Sequence, residues 1–261
     1  MKPKKSLGQN FLIDEKILNQ IVKNGNIKKN DIVLEIGPGT GKLTEKIVKR
    51  KPQKFIVVEK DKLLSDQLKI KFGESVEIIN EDILKCYDKF KFDRPIKVFG
   101  NLPYNISTKI LTSMIKLENL DKLFSNFIFV FQKEVADRIV AKYNTKEYGR
   151  LSILSTWKME KLKIFDIPPR SFYPVPKVWS SLIKFVPKKN VVILKKPKNL
   201  EHVTNIFFNQ RRKMIKKPLK ILFKNYKKVS EDLSLNLNLR PQNLSNITYY
   251  KICSYYERLL K

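Results

Sequence analysis

Four consecutive residues, Asn101 to Tyr104, combine groups that could bind a flat nitrogen base and its amine. The side-chain oxygen of Asn101 and the carbonyl oxygen of Leu102, which the following Pro103 holds in place, can accept the two protons of a planar exocyclic amine. The ring of Tyr104 can stack on the base. Asn and Pro are also ordinary turn residues, so the chemistry of this segment depends on what lies beside it.

A glycine-rich turn, Gly37 to Gly41, follows an apolar run and opens a helical pattern. In a doubly wound fold this position brings the backbone, here at Gly37 and Gly39, close to a ligand at the carboxyl ends of the strands. The turn fits neither nucleotide motif in detail. A phosphate-binding P-loop would need a Gly at Ile36 and a Ser or Thr at Leu43, and a dinucleotide fingerprint would need its third Gly one position later.

Two carboxylates lie at the ends of the next two predicted strands. Glu59 lies 22 residues after Gly37 and can accept both hydroxyls of a ribose, and Asp82 can accept a hydrogen bond from an adenine amino group. Acidic residues at successive strand ends fit an adenosine that lies across the sheet without a pyrophosphate. The pattern therefore predicts S-adenosyl-L-methionine as the cofactor.

The elements that must position these residues alternate between strands and helices, which predicts a largely parallel, doubly wound α/β sheet. Seven strands are predicted at Asp31–Ile36, Lys54–Glu59, Ser75–Asn80, Ile96–Gly100, Asn126–Phe131, Leu151–Met159 and Ser180–Val186. Helices are predicted between them at Lys42–Arg50, Lys62–Phe72 and Ser107–Ile115. Since only a loop separates the last two strands, we expect one of them to be antiparallel at an edge of the sheet.

After Pro187 the strand pattern stops and helical patterns take over. They cover Leu200–Lys217, Lys220–Tyr226, Glu231–Leu235 and Ile247–Leu260. The chain is therefore predicted to have a cofactor-binding catalytic domain, residues 1–187, and a smaller all-helical domain, residues 188–261.

The net charge favours a polyanionic partner. The chain has 54 Lys and Arg against 25 Asp and Glu, a net charge of +29, and residues 186–261 alone carry 18 basic residues against 4 acidic ones. The alternative is a compositional bias without a binding role, because 45 of the 54 basic residues are Lys.

Several other classes of protein are excluded by what the sequence lacks. Its longest apolar runs, such as Phe127–Phe131, are far too short to span a bilayer, and the first ten residues lack the apolar stretch of a secretory signal. The two cysteines and the one histidine, Cys86, Cys253 and His202, cannot form a disulfide scaffold or a zinc finger. We therefore expect a cytoplasmic protein without a metal site.

Eight segments follow the pattern of a known family. They are Gly8–Leu12, Glu35–Gly41, Val58–Asp61, Asn101–Thr108, Phe131–Arg138, Tyr148–Ser152, Pro174–Val178 and Asn209–Lys213. With these segments the chain resembles, almost end to end, the KsgA-type small-subunit rRNA adenine dimethyltransferases, which implies a Rossmann-like methyltransferase sheet.

The resemblance also implies roles for single residues. The cofactor site would be lined by Asn10, Leu12, Glu35, Gly37, Gly39, Glu59, Asp82 and Asn101, with Glu35 near the methionine end. Asn101 and the Leu102 carbonyl would hold the target amine, and Tyr104 and Phe172 would sandwich the extruded adenine. Trp179 stands where family members usually have Asp, and this difference lies close to Phe172.

The activity that the resemblance implies is dimethylation of the N6 amines of two adjacent adenosines in the 3′-terminal hairpin loop of 16S rRNA, within an immature 30S subunit. We expect the protein to act as a monomer. Phosphate contacts are then expected from Arg211, Arg212, Lys213, Lys216 and Lys217. The alternative for this run is an ordinary solvated helix face.

Three other functions remain as alternatives. An Erm-type enzyme would modify 23S rRNA, and the tail motif Asn209–Lys213 favours the KsgA type instead. A noncatalytic RNA-binding assembly factor would not need the intact cofactor and amine-binding residues, namely Gly37, Glu59, Asp82 and Asn101. DNA adenine methyltransferases usually carry Pro-Pro-Tyr, from which Leu102 departs.

Overall fold

The structure is a computed structural model that describes residues 8–90 and 92–260. Residues 1–7, in which no secretory signal was expected, lie outside the described residues. The described chain packs into two compact units. One contains residues 8–136 and 160–188, and the other contains residues 137–159 and 189–260. Residues 137–159, which the sequence assigned to the first domain, thus pack with the C-terminal helices.

Nine strands and twelve helices build the described chain. The strands are β1 (Phe11–Leu12), β2 (Ile32–Ile36), β3 (Lys54–Val58), β4 (Glu77–Ile79), β5 (Ile96–Asn101), β6 (Phe124–Gln132), β7 (Met159–Ile167), β8 (Phe172–Tyr173) and β9 (Ser180–Pro187). The helices are α1 (Glu15–Gly25), α2 (Lys42–Val48), α3 (Lys62–Phe72), α4 (Ile83–Cys86), α5 (Ser107–Ile115), α6 (Leu120–Leu123), α7 (Lys133–Val140), α8 (Arg150–Lys158), α9 (Pro197–Asn209), α10 (Lys216–Leu222), α11 (Tyr226–Asp232) and α12 (Asn246–Leu259).

The main sheet has seven strands in the order β4-β3-β2-β5-β6-β9-β7. Strands β2 to β6 run parallel to one another, and β9 runs antiparallel to β6. The strand order reverses at β2, which pairs with β3 on one side and β5 on the other, so a crevice opens at the carboxyl ends of β2 and β5. The predicted doubly wound α/β class with a helical C-terminal region is confirmed.

The sheet is buried because its central strands are apolar on both faces. All five residues of β2 are buried, as are the side chains of Phe127, Phe129 and Phe131 along β6. Such continuous apolar strands are typical of a parallel sheet covered by helices on both sides. Within the part of the chain that the structure describes, no helix combines the length and apolarity that crossing a membrane would need.

One predicted strand is wrong. Leu151–Met159 forms most of helix α8, and the strand, β7, begins only at Met159. The apolar residues of this run are compatible with the periodicity of a strand and with that of a helix. Its buried serines donate their hydroxyls to helix carbonyls. The Ser155 hydroxyl, for example, donates to the carbonyl of Leu151 at 2.7 Å. The predicted antiparallel strand near an edge of the sheet is β9, which lies next to the edge strand β7.

The predicted C-terminal helix Leu200–Lys217 is also wrong in its second half. Helix α9 ends at Asn209, residues 210–215 form turns, and α10 starts at Lys216. The break is fixed by Ile215, which is fully buried and donates its N–H to the carbonyl of Leu239 at 2.8 Å. Of the predicted Glu231–Leu235 helix, only Glu231 and Asp232 are helical, as the end of α11.

Candidate active site

A pocket lies at the carboxyl ends of the parallel strands, in the crevice where the strand order reverses. It is lined by all the predicted cofactor-binding residues, namely Asn10, Leu12, Glu35, Gly37, Gly39, Glu59, Asp82 and Asn101. It is also lined by Leu102, Pro103 and Tyr104. Three separate sequence motifs therefore converge on one site, as the topology of the sheet requires.

The glycine-rich turn brings main chain to the floor of the pocket. Gly39 has a φ of +58°, and a Cβ there would lie 2.6 Å from the ring of Phe11. A side chain at this position would therefore both strain the backbone and displace β1. Gly37 has a φ of +65° and donates its N–H to the carbonyl of Val58, which ties the turn to the end of β3.

Glu59 is held by backbone donors at both carboxylate oxygens. Gly39 N–H lies 3.2 Å from Oε2 and Asp61 N–H lies 2.8 Å from Oε1. The side chain of Asn80 donates to the Glu59 carbonyl at 2.9 Å. Burial raises the pKa of Glu59, in opposition to these hydrogen bonds. The carboxylate keeps lone pairs that can accept further donors such as ribose hydroxyls.

Glu35 is a buried carboxyl group in the wall of the pocket. The Thr44 hydroxyl donates to its Oε2 at 2.7 Å, and both side chains are buried. Burial raises the pKa of Glu35 to about 8, and the charge of Glu59 acts in the same direction. Thr44 was not predicted from the sequence. The one available signal was its place just inside the helix that the glycine turn opens.

Asp82 caps helix α4 and is paired with a lysine. Its Oδ1 accepts the N–H of Leu84 at 3.0 Å and its Oδ2 lies 2.9 Å from Nζ of Lys60. Partial burial opposes the shift, but the hydrogen bonds from Lys60 and Leu84 lower the pKa of Asp82. Asp82 is therefore an ionised acceptor at the rim of the pocket.

Asn101 is oriented by a neighbouring backbone carbonyl. Its Nδ2 donates to the carbonyl of Asn10 at 2.8 Å, which leaves Oδ1 as the acceptor of this side chain. Tyr104 is half-buried, and its phenol oxygen lies 2.7 Å from Oγ of Ser180. Asn101 and Tyr104 thus line the same pocket.

Phe172 is not brought to the pocket. Its side chain is fully buried in the core beside Leu12, with which it pairs in the short antiparallel ladder of β1 and β8. Its neighbour Tyr173 is 56% exposed. The stacking role of Phe172 stays a prediction, and it would require the side chain to leave this core position.

The predicted RNA-binding run divides into two kinds of residue. Arg211 is used inside its own unit, because Nε donates to Oε1 of Gln242 at 3.2 Å, Nη2 donates to the carbonyl of Lys146, and the guanidinium lies over the ring of Phe208. The other four predicted side chains are exposed, namely Arg212, Lys213, Lys216 and Lys217. They lie on the turn after α9 and at the start of α10.

The described residues contain no group of three or more His, Cys, Asp or Glu side chains that could hold a metal ion. Cys86 and Cys253 are buried free thiols, and burial raises the pKa of each. His202 lies against the ring of Tyr256, with ring centroids 5.6 Å apart.

Comparison with known proteins gives matches over nearly the whole chain. The family described as "Ribosomal RNA adenine dimethylase" matches residues 1–259. Ribosomal RNA small subunit methyltransferase A of Pelagibacter ubique is 53% identical over 259 residues, or 99% of this chain and 98% of that protein. A dimethyladenosine transferase from Plasmodium falciparum has a TM-score of 0.78 at 27% identity, with 93% of this chain and 95% of that chain covered. The 23S rRNA methyltransferase ErmE shares the fold, with a TM-score of 0.69 at 20% identity over 95% of this chain and 99% of that chain.

Proposed function

The chain belongs to the ribosomal RNA adenine dimethylase family, and we propose that it uses S-adenosyl-L-methionine to dimethylate the N6 amine of adenosines in 16S rRNA. The substrate proposed is the pair of adjacent adenosines in the 3′-terminal hairpin loop of an immature 30S subunit. The observation that carries the proposal is the position of Asn101, whose side chain lines the pocket with its amide turned by Asn10 so that Oδ1 can accept.

The residues of the pocket fit this cofactor. Glu59 offers a fixed carboxylate for the ribose hydroxyls, and Asp82 offers an ionised acceptor for the adenine amino group. The buried Glu35 offers a carboxyl for the ammonium of the methionine moiety. When bound, the cofactor would supply an electrophilic methyl group on a cationic sulfur.

Two acceptors of the chain would hold the target amine. Oδ1 of Asn101 and the carbonyl of Leu102 accept its two protons, which leaves the nitrogen lone pair directed at the methyl donor. These acceptors bind the developing cation more strongly than the neutral amine, so they favour the transition state. After methyl transfer the nitrogen carries a positive charge and releases a proton readily. No side chain is therefore required as a strong base.

Tyr104 would hold the target base outside its stack. An adenine within a stack hides its amine, so the base must be extruded or already lie in a loop. Stacking on an aromatic ring offsets the lost base stacking by about 1 to 3 kcal/mol. The ring of Tyr104 lines the same pocket as Asn101, which supports this role.

The C-terminal domain, residues 188–261, is proposed to dock RNA through the exposed cations near α10. Arg212, Lys213, Lys216 and Lys217 are exposed there. Neutralisation of the backbone phosphates dominates the affinity of such contacts. The protein is proposed to act as a monomer in the cytoplasm, where bacterial ribosomal subunits assemble.

The proposal predicts that Asn101→Ala lowers the rate of methyl transfer by about 100-fold or more, because one of two acceptors at the developing charge is removed. The fold and the melting temperature should change little, since Asn101 is only half-buried. The measurement is transfer of labelled methyl groups to undermodified 30S particles. Asn30→Ala is the matched control. Asn30 is exposed and lies just before the amino end of β2, at the end of the strands opposite to the pocket. Near-normal turnover by Asn101→Ala would refute the proposed role.

A further inference from the structure

A hydrogen bond ties Tyr104 to a residue 76 positions away in the chain. The phenol oxygen lies 2.7 Å from Oγ of Ser180, the first residue of β9. Tyr104 lines the pocket, whereas Ser180 is not among the lining residues.

The Ser180 hydroxyl is held firmly in place. Its side chain is fully buried, and the residue pairs with Gln132 in the antiparallel ladder of β6 and β9. The carbonyl of the preceding Trp179 accepts the N–H of Lys133 at 2.8 Å. The backbone is thus bonded on both sides of the hydroxyl. A buried hydroxyl without a partner would be costly, so the bond to Tyr104 is favoured.

Tyr104 is anchored at both ends. At its backbone end, the carbonyl of Pro103 accepts the N–H groups of Ile106 and Ser107 at 3.1 and 2.9 Å. At the far end of the side chain, the phenol meets Ser180. Burial raises the pKa of Tyr104, so the phenol stays neutral and the bond persists at neutral pH. A tyrosine fixed at both ends keeps one ring orientation.

We infer that Ser180 is a positioning residue whose hydroxyl holds the ring of Tyr104 in the orientation that stacks on the target adenine. This inference rests on the proposed function, which makes Tyr104 the stacking residue. A misplaced ring would misalign the base relative to Asn101, and small misalignments of a reacting group slow the chemical step. The effect should therefore fall on kcat, whereas cofactor affinity should not change.

The test is a double-mutant cycle of Ser180→Ala and Tyr104→Phe. Each variant removes the same hydrogen bond from one side, and Tyr104→Phe keeps the ring. Each should lower kcat on undermodified 30S particles about tenfold, and the double variant should lose no more than either single variant. Calorimetry should give cofactor dissociation constants within about twofold of the wild-type value for all three proteins.

Ser181→Ala is the matched control for loss of a buried serine hydroxyl. Ser181 is also fully buried, and its hydroxyl donates to Oδ1 of Asp166 at 2.6 Å. Because side chains alternate along a strand, it points to the other face from Ser180. This control should keep the wild-type kcat although it, too, removes a hydrogen bond.

Three results would overturn the inference. These are a wild-type kcat for Ser180→Ala, a loss in the double variant equal to the product of the single losses, or an equal loss of kcat in Ser181→Ala. The wild-type protein in the same assay keeps the two proposals apart. No methyl transfer by the wild-type chain would refute the proposed function, whereas a normal wild-type rate with an unaffected Ser180→Ala would refute only the role of Ser180.

Discussion

At the scale of single residues, hydroxyl groups hold two of the side chains that line the pocket, Glu35 and Tyr104. Asn101 and Glu59 stand in recognisable positions after predicted strands, and both line the pocket. Thr44 and Ser180 contribute hydroxyls that bond to Glu35 and Tyr104, and no motif indicates them. The Ser180 contact depends on how β9 is placed in the sheet, which spacing along the chain does not encode.

The protonation of Glu35 should make stability depend on pH. Burial raises the pKa of Glu35 from 4.5 to about 8, against the hydrogen bond from Thr44 and with the charge of Glu59. Between these two values the folded protein keeps a proton that the unfolded chain has released. The contribution of Glu35 to the free energy of unfolding therefore falls as the pH rises through this interval.

Glu35→Gln tests this directly, because Gln cannot titrate and still offers Thr44 an acceptor. The stability of the wild-type protein relative to the variant should decline from about pH 5 to about pH 8 and then level off. Urea unfolding of both proteins across this range measures the difference. A difference that stays constant with pH would contradict the account of Glu35.

At the scale of elements, the positions of strands can be predicted where an apolar run is followed by a glycine or a carboxylate residue. The parallel strands β2 to β6 lie where the apolar runs predict them. Helix α8 was mistaken for a strand because a short apolar run carries both periodicities, and packing against neighbouring helices decides between them. The end of α9 has no local stop signal in the sequence. The break after it depends on the hydrogen bond that Ile215 donates to the carbonyl of Leu239, which is far away in the chain.

Helix α1 should tolerate no side chain at its last residue, Gly25. A Cβ there would lie 2.6 Å from Cε1 of Phe99, a fully buried residue of β5. Gly25→Ala should therefore lower the free energy of unfolding by about 1 to 3 kcal/mol through overpacking. Gly149→Ala is the control, because its φ is extended and a Cβ there would meet Phe208 at an ordinary 3.9 Å.

Denaturant unfolding of the two variants measures this contrast. The control should lose less than about 1 kcal/mol, since Gly149 caps α8 without a side-chain bond. Equal stability of Gly25→Ala and the wild-type protein would show that Phe99 can move aside, contrary to the close packing of α1 on β5.

At the scale of the whole molecule, the resemblance predicted from the sequence is confirmed by the family match over residues 1–259. The net charge of the chain is +29, and its basic side chains differ in how far contacts within the fold engage them. Arg211 is engaged by Gln242 and Lys146, so its charge serves the packing of its unit. The exposed Lys213 and Lys217 are the better candidates for binding phosphates.

Reversing the charge of Lys213 and Lys217 to Glu should weaken RNA binding and flatten its salt dependence. The plot of log affinity against log salt has a negative slope. For every phosphate that the variant no longer neutralises, this slope should become less negative by about 1. Lys28 and Lys29 are matched controls, because both are exposed and lie before the amino end of β2. Their reversal changes the net charge equally and should leave the slope nearer to the wild-type value. Equal slopes for both pairs would favour a generally solvated basic surface.

The most direct measurement is methyl transfer from labelled S-adenosyl-L-methionine to four substrates, namely undermodified 30S particles, naked 16S rRNA, 23S rRNA and duplex DNA. Nucleoside analysis then identifies the product. We expect N6,N6-dimethyladenosine confined to the 30S particles. Label in 23S rRNA or in DNA, or no label in any substrate despite cofactor binding, would contradict it.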